Sequence, residues 1–566
     1  MITLNNINLS SIDLSGIDLR GIKLGLGGRG GGSGDGFPQL PGDVTRWHFG
    51  GLTNEMMAAM DDPRIEDADH KGRFLSFKNF AWKGMSGVGG YVVDIDEWGT
   101  NSTAAYFERN SIKITATFKE NASLGLLYHN IKLRQSCVLK VTGIPKGCDA
   151  FLDDRLGNCF YMSEDGVYEI IPSNFLAEAL YLSIEKYPER WYGSKLTIEQ
   201  LPLYPGFILG DGVGDFAVTE KELNFEDTYT VYTAFIPFQN NPTRNMILCG
   251  ADSKKTFSMQ YSSLVYVSFI AGNNYYINAD FVNGLNLFAC KRNGNNICIK
   301  NLLTNKVVTG TCGDWVENAG LYYLWKNATY ASFARAGIAG QIIDNGHFTT
   351  DEEDENILNW HKKQYPWLFP DQAWTVTGKT NEDEDRTTIA NITGNGNNLV
   401  LSKFGFIEGS GYNEEGEYAG YLVTDGVDDK ITSSTFEMGN DWTVIGDWEL
   451  INTGKNDNAG IVKFDSIVIY NYNPILINIK NGRNNLIPDQ NTVNAICSDG
   501  RIYSKDWKES IYNEETESTS KNLLTIGYSG NSYTKIAFKN LAIYPTVLSK
   551  EDCIKAYNYL QTLKAK

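Results

Sequence analysis

Apolar and polar residues alternate with a period of two along much of the chain. The runs Ser111–Phe118, Cys137–Pro145, Asp165–Pro172 and Lys195–Pro202 each alternate, and the last three stop at Pro. This is the pattern of half-buried antiparallel strands, and it predicts a β-sandwich over 37–205. Similar strands follow at Thr230–Ile236, Ser263–Ile270 and Ile297–Leu302. Helical signals are short. Thr349 or Thr350 precedes Asp351, Glu352 and Glu353, an N-cap with acidic residues at the positive end of the helix dipole. Near the C-terminus Ser549 and Asp552 stand in capping-box positions.

The chain repeats itself. Ile-Leu-Gly-Asp-Gly-Val-Gly-Asp-Phe at 208–216 returns as Leu-Val-Thr-Asp-Gly-Val-Asp-Asp-Lys at 422–430, followed by an aromatic-rich strand from Asp227 or from Asp441 and, later, an acidic helix. Similarity over units of this length predicts two related domains, at 206–370 and 419–566. The turn-rich stretch 371–418 reads as a connecting segment, either the edge of the second repeat unit or a small insert.

The first 24 residues follow a different rule. Ile-x-Leu recurs every five residues at Ile2, Ile7, Ile12, Ile17 and Ile22. Such pentapeptide-like units each supply one side of a β-coil, and five are too few to bury a core alone. Residues 1–24 are therefore expected to anchor the chain, by forming a homotrimer or another homo-oligomer or by docking on other proteins. The glycine tract 25–36 is a linker. It lacks the flanking strand and helix of a phosphate loop.

Composition narrows the class. With 566 residues, 56 Gly, 12 % aromatics and only 15 Pro, an all-β multidomain protein is expected. A formal charge of −18 without a basic cluster argues against nucleic acid. No apolar run approaches the ~20 residues that span a bilayer, and the first residues do not read as a secretory signal, so no membrane insertion and synthesis in a cytosol are expected. Nine cysteines without a C-x-x-C read as reduced, mostly buried thiols.

The candidate chemistry is sparse. No paired carboxylates alternate on one strand as a glycosidase needs; Asp94, Asp96 and Glu97 come nearest, and Glu382–Asp385 lies in a turn. Five scattered histidines form no metal pair. Asp425, Asp428 and Asp429, with Asp211 and Asp215 in the other repeat, are the candidate Ca²⁺ ligands, because hard cations gather carboxylate oxygens. The competing reading of the same residues is an Asp-Gly turn. No catalytic residue and no cofactor beyond calcium is expected.

The Asp-Gly-Val-Asp-Asp turn, the aromatic strand after it and Lys539–Asp552 resemble laminin-G-like domains of the concanavalin-A-like jelly roll. The resemblance implies two lectin-like sandwiches, each ending in a short helix. Gly84–Tyr91, Lys379–Arg386, Gly394–Leu399 and the terminal repeat resemble structural proteins of tailed phages of Bacteroidales, including the crAss-like group. That implies a virion protein assembled in the host cytoplasm: a tail or head fibre that is no enzyme, is held to other virion proteins by 1–24, and binds host cell-surface polysaccharide through aromatic loops. A non-binding capsid or collar decoration and a glycan depolymerase are the alternative expectations.

Overall fold

The computed structural model describes residues 36–565 apart from 93–104, 120–126, 132–136, 171–179, 239–245, 252–256, 262–265, 271–275, 327–332, 452–459, 471–475, 480–482, 487–492, 512–522 and scattered one- or two-residue stretches. The Ile-x-Leu segment and the glycine tract lie outside the described residues.

Two large antiparallel sandwiches dominate. The first pairs an eight-stranded sheet centred on Thr228–Pro237 and Ala336–Asn345 with a second eight-stranded sheet running from Arg64–Glu66 to Tyr276–Asp280. The second sandwich repeats this strand for strand, with Thr443–Leu450 and Ile536–Tyr544 at the centre of one sheet and the span from Thr388–Ile389 to Arg483–Leu486 in the other. Even the irregularities recur. A bulge between Ala234 and Phe235 leaves Ala339 without a partner, and one between Asp447 and Trp448 does the same to Lys539. Each unit is a jelly roll, and each closes on a helix, Asp351–Gln364 or Lys550–Gln561. The all-β, multidomain expectation holds.

The boundaries do not fall where strand alternation put them. Asp43–His48 lies antiparallel on Ala336–Asn345, and Phe74–Lys78 pairs with Phe216–Thr219. Residues 43–92 therefore belong to the first jelly roll, and the expected 37–205 sandwich shrinks to an insert with strands between Ala105 and Gln200, in sheets of five and four strands. Of the two readings of 371–418, membership of the second unit is the one the structure shows. Gln372–Thr375 pairs with Ile536–Tyr544, and Leu399–Ser402 pairs with Lys430–Ser433. Alternation reports that a strand is half buried; it carries no information about a partner hundreds of residues away.

Each sandwich has its own core. Phe49, Phe235, Phe257 and Trp325 fill the first, Trp374, Trp442 and Trp448 the second, and Trp191 with Val141 and Leu152 the insert. A further cluster is shared. Val138 and Val167 of the insert, Ile342 and Trp360 of the first unit, and Ile445, Tyr544 and Leu560 of the second meet in one buried set. Fully burying a side chain of this size contributes about 1.5–3 kcal/mol, so the units are joined by a core and not merely by a tether.

Candidate functional site

The duplicated Asp-Gly turn forms the same polar lock in both units. In the first, Asp211 Oδ1 accepts the N–H groups of Val213 and Gly214 at 2.7 and 3.1 Å, and Asp215 Oδ2 accepts the Asp211 N–H at 3.0 Å. In the second, Asp425 Oδ1 accepts from Val427 and Asp428 at 2.7 and 3.2 Å, and Asp429 Oδ2 accepts the Asp425 N–H at 2.7 Å. Aspartate is the natural residue here, since its short carboxylate reaches backbone N–H groups two and three residues on. Gly212 and Gly426 hold φ near +78° and +75°. A Cβ on Gly212 would stand 2.9 Å from Arg335 Cβ.

A second hairpin completes the lock. Ser410 donates its hydroxyl to Asp429 Oδ2 at 2.8 Å while accepting the Gly405 N–H at 2.9 Å. Ser86 likewise bonds Asp215 and accepts from Ala81. Behind each serine, an asparagine grips the backbone in both directions: Asn54 holds Val88, and Asn381 holds Tyr412. Trp82 and Phe406 both adopt left-handed backbone, φ +53° and +52°, a strain that persists only where the surroundings over-determine it.

Burial pushes the Asp215 and Asp429 carboxyls up to about 6, against the smaller lowering effect of their hydrogen bonds. One oxygen of each, Oδ1, is buried without a partner. Of the five candidate calcium ligands, the structure brings Asp425, Asp428 and Asp429 within 4.8 Å of one another. Asp211 and Asp215 have no third carboxylate, because Gly214 stands where the second unit has Asp428. Calcium takes six to eight oxygens, whereas in the second turn one oxygen each of Asp425 and Asp429 is already held by donors and Asp428 pairs with Lys403 at 3.2 Å. The donor set fits a turn fully and a calcium site only in part.

The acidic start of the first helix is more than dipole compensation. Thr350 and Glu353 form the capping box, but Asp354 is buried and meets Lys291 Nζ at 2.6 Å and Lys300 Nζ at 3.1 Å. Its other oxygen accepts the hydroxyls of Tyr232 and Thr349. Sequence reading missed this network. Asp94, Asp96 and Glu97 lie outside the described residues. Seven of the nine thiols are buried, and among the described residues only Cys159 is exposed.

Among the described residues of the two large sandwiches, the large aromatics are buried or half-buried, tryptophans included. Among the described residues the exposed large aromatics are Tyr106, Tyr161 and Tyr187, at 67, 53 and 47 %, and all three stand on the insert. The expected aromatic platforms on the jelly-roll loops are thus not seen among these residues.

These features define a duplicated jelly roll carrying an inserted sandwich. No protein-family model matches the chain, and no curated protein matches it. Solved structures do. The Ca²⁺-bound exoplasmic/lumenal domain of VIP36 covers 27 % of this chain and 83 % of its own, at 8 % identity and a TM-score of 0.20. The botulinum neurotoxin serotype D binding domain covers 62 % and 90 %, at 10 % identity and 0.26. A botulinum neurotoxin type C structure covers 58 % and 86 %, at 11 % identity and 0.26.

Proposed function

We propose that this chain is a surface appendage protein of a tailed-phage virion that binds host-surface glycans, its two jelly rolls serving as a rigid scaffold and its insert as the ligand-facing module. The observation that carries this reading is the placement of the exposed tyrosines. Both jelly rolls keep the same strands, bulges and turn locks, as a scaffold does, while among the described residues the exposed large aromatic rings all stand on a sandwich inserted into one of them. Tyrosine offers a flat apolar face to a sugar ring and a hydroxyl to its edge. Two of the rings also carry cations, Lys119 Nζ lying 4.3 Å from the Tyr106 centroid and the Arg190 guanidinium 4.2 Å from that of Tyr187. In this reading residues 1–24 hold the chain to itself or to other virion proteins.

The test is binding of the fluorescent full chain to Bacteroidales cells. Saturable binding that disappears when surface polysaccharide is stripped supports the glycan reading, and indifference to stripping overturns it. Immunogold labelling of purified particles with an antibody to the chain addresses the virion role separately, and particles that bind no antibody overturn that part alone.

A further inference from the structure

The insert meets the first jelly roll across a cleft of about 370 Å³, within the roughly 300–1,000 Å³ of small-molecule sites. Its polar lining comes from both partners. Glu55 is on the Asn54–Ala58 helix of the jelly roll, Tyr91 stands where the chain leaves for the insert, and Asn110, Lys113 and Glu199 are on the insert. Clefts between packed units are where small ligands most often bind.

The walls are held rigidly. The outgoing and returning chain segments run side by side, with Leu203 N–H donating to Gly90 O at 3.0 Å and Tyr204 N–H to Gly89 O at 2.7 Å. A Cβ on Gly89 would come within 2.7 Å of Pro202 Cβ, so only glycine lets them approach. Asn110 Nδ2 donates to Glu55 Oε1 at 3.1 Å across the junction, and Glu199 stands opposite Lys113 on the neighbouring strand. The groups that would meet a ligand are therefore placed before it arrives, which reduces the ordering cost of binding.

We propose that this cleft is a saccharide subsite that takes one neutral or N-acetylated hexose unit. The proposal rests on the glycan-binding reading and adds to it a subsite apart from the exposed tyrosines. A sugar ring presents several hydroxyls, each both donor and acceptor. Glu55 and Glu199 accept from such hydroxyls, while Lys113 and the Tyr91 phenol donate to them. Burial, with the Glu55 and Glu199 charges nearby, holds the Tyr91 hydroxyl well above its ordinary range, so it stays a donor. Two carboxylates against one ammonium leave the cleft with a net negative charge, which selects against hexuronates and other anionic sugars.

The test uses the full chain and a panel of fluorophore-labelled neutral hexoses, N-acetylhexosamines and hexuronates, read by fluorescence anisotropy. The wild type is expected to bind a neutral or N-acetylated sugar and to reject the hexuronates. Glu199→Gln and Tyr91→Phe, which keep shape, are each expected to weaken binding about tenfold or more, as loss of a hydrogen bond involving a charged or buried partner does. Lys113→Met changes an exposed side chain and does not threaten folding; it should weaken binding too, with an unaltered melting curve. Wild-type binding that all three variants retain, but that Tyr106→Ala or Tyr161→Ala abolishes, overturns the cleft and keeps the glycan reading. A wild type that binds no sugar on the panel and does not bind stripped or unstripped cells overturns both.

Discussion

The two closing helices dock in the same way but with opposite chemistry. In the first unit Asp354 is ringed by Tyr232, Lys291, Lys300 and Thr349, a buried polar network. Strand register and the shared N-cap place Ile445, Cys497, Tyr503, Leu548 and Cys553 at the matching positions of the second. The carboxylate and its lysine have become a pair of thiols, Cys553 and Cys497, that share a hydrogen bond. The backbone hardly notices. Thr230 accepts the Thr349 N–H in one unit as Thr443 accepts the Leu548 N–H in the other. Helix placement is thus fixed by backbone and cap, while the cation beneath moves: Lys291 donates to the Thr349 carbonyl in the first unit, and the Arg501 guanidinium, on the next strand, donates to the Leu548 carbonyl and the Tyr503 hydroxyl in the second. A buried ion pair is weak evidence for stability, since a well-packed apolar substitute is often equal or better, whereas a half-removed pair is strongly destabilising.

The sharpest way to break this symmetry is to remove one partner. Asp354→Ala leaves Lys291, 4 % exposed, buried without its carboxylate, and is expected to cost about 3–5 kcal/mol. Cys553→Ala, at the equivalent place, should cost about 1–2 kcal/mol. Urea unfolding of the two variants measures the difference, and equal losses would mean that the network is not what holds the first helix. The complementary experiment transplants the second unit's set. Tyr232→Ile, Lys291→Cys, Cys298→Arg, Lys300→Tyr, Thr349→Leu and Asp354→Cys, made together so that the counterpart of Arg501 comes with the set, are expected to leave stability unchanged or raise it by up to about 4 kcal/mol. A large loss would show that the first unit's backbone has adapted to its ions.

The two units also differ in how openly their sequences announce them. The Asp-Gly turns were legible because Asp211 and Asp425 sit in near-identical short runs, and the helix caps because Thr350 and Ser549 obey local rules. The Asp354 network was hidden inside a row of acidic residues that local rules already explained, and Lys291 and Lys300 look like solvent-facing positions of ordinary strands. The usable signal lay across the repeats, where all five counterparts turn apolar or weakly polar at once. Strand partners of residues 43–92 were illegible for a simpler reason: the insert separates them from Phe216–Thr219 and Ala336–Asn345, and pairing depends on topology that no local pattern encodes. The cleft between insert and jelly roll arises at that same junction, from residues that no single motif contains.

A third test concerns pH. His361 on the first helix is fully packed, and burial together with His48 pulls its imidazole down to about 3, whereas the second helix has Leu560 there. An unfolded histidine titrates near 6.5. Between about 6.5 and 3 the unfolded chain therefore binds a proton that the native chain refuses, and stability falls as pH drops through this window. His361→Leu should flatten that slope, with a gain of about 2 kcal/mol at pH 5 and little change at pH 8. Asp215 and Asp429 act with the opposite sign. Their raised carboxyls favour the native state at low pH, and this contribution is lost as pH rises through about 6. Both remain in the variant, so the difference between variant and wild type isolates the histidine.

The smallest expected effect separates the two turns. Asp428→Gly converts the second turn to the Asp-Gly-Val-Gly-Asp of the first and removes one carboxylate together with its exposed contact to Lys403, worth about 0–1 kcal/mol. Every backbone bond of the turn comes from Asp425 and Asp429, so the fold should tolerate the change. Because the donor set fits a calcium ion only in part, calcium and EDTA are expected to leave the melting midpoint of both proteins unmoved. A calcium-dependent rise in the wild type that vanishes in Asp428→Gly would instead make the third carboxylate decisive. The second unit would then have acquired, by one substitution in a turn that both units already possessed, a cation site that the first lacks.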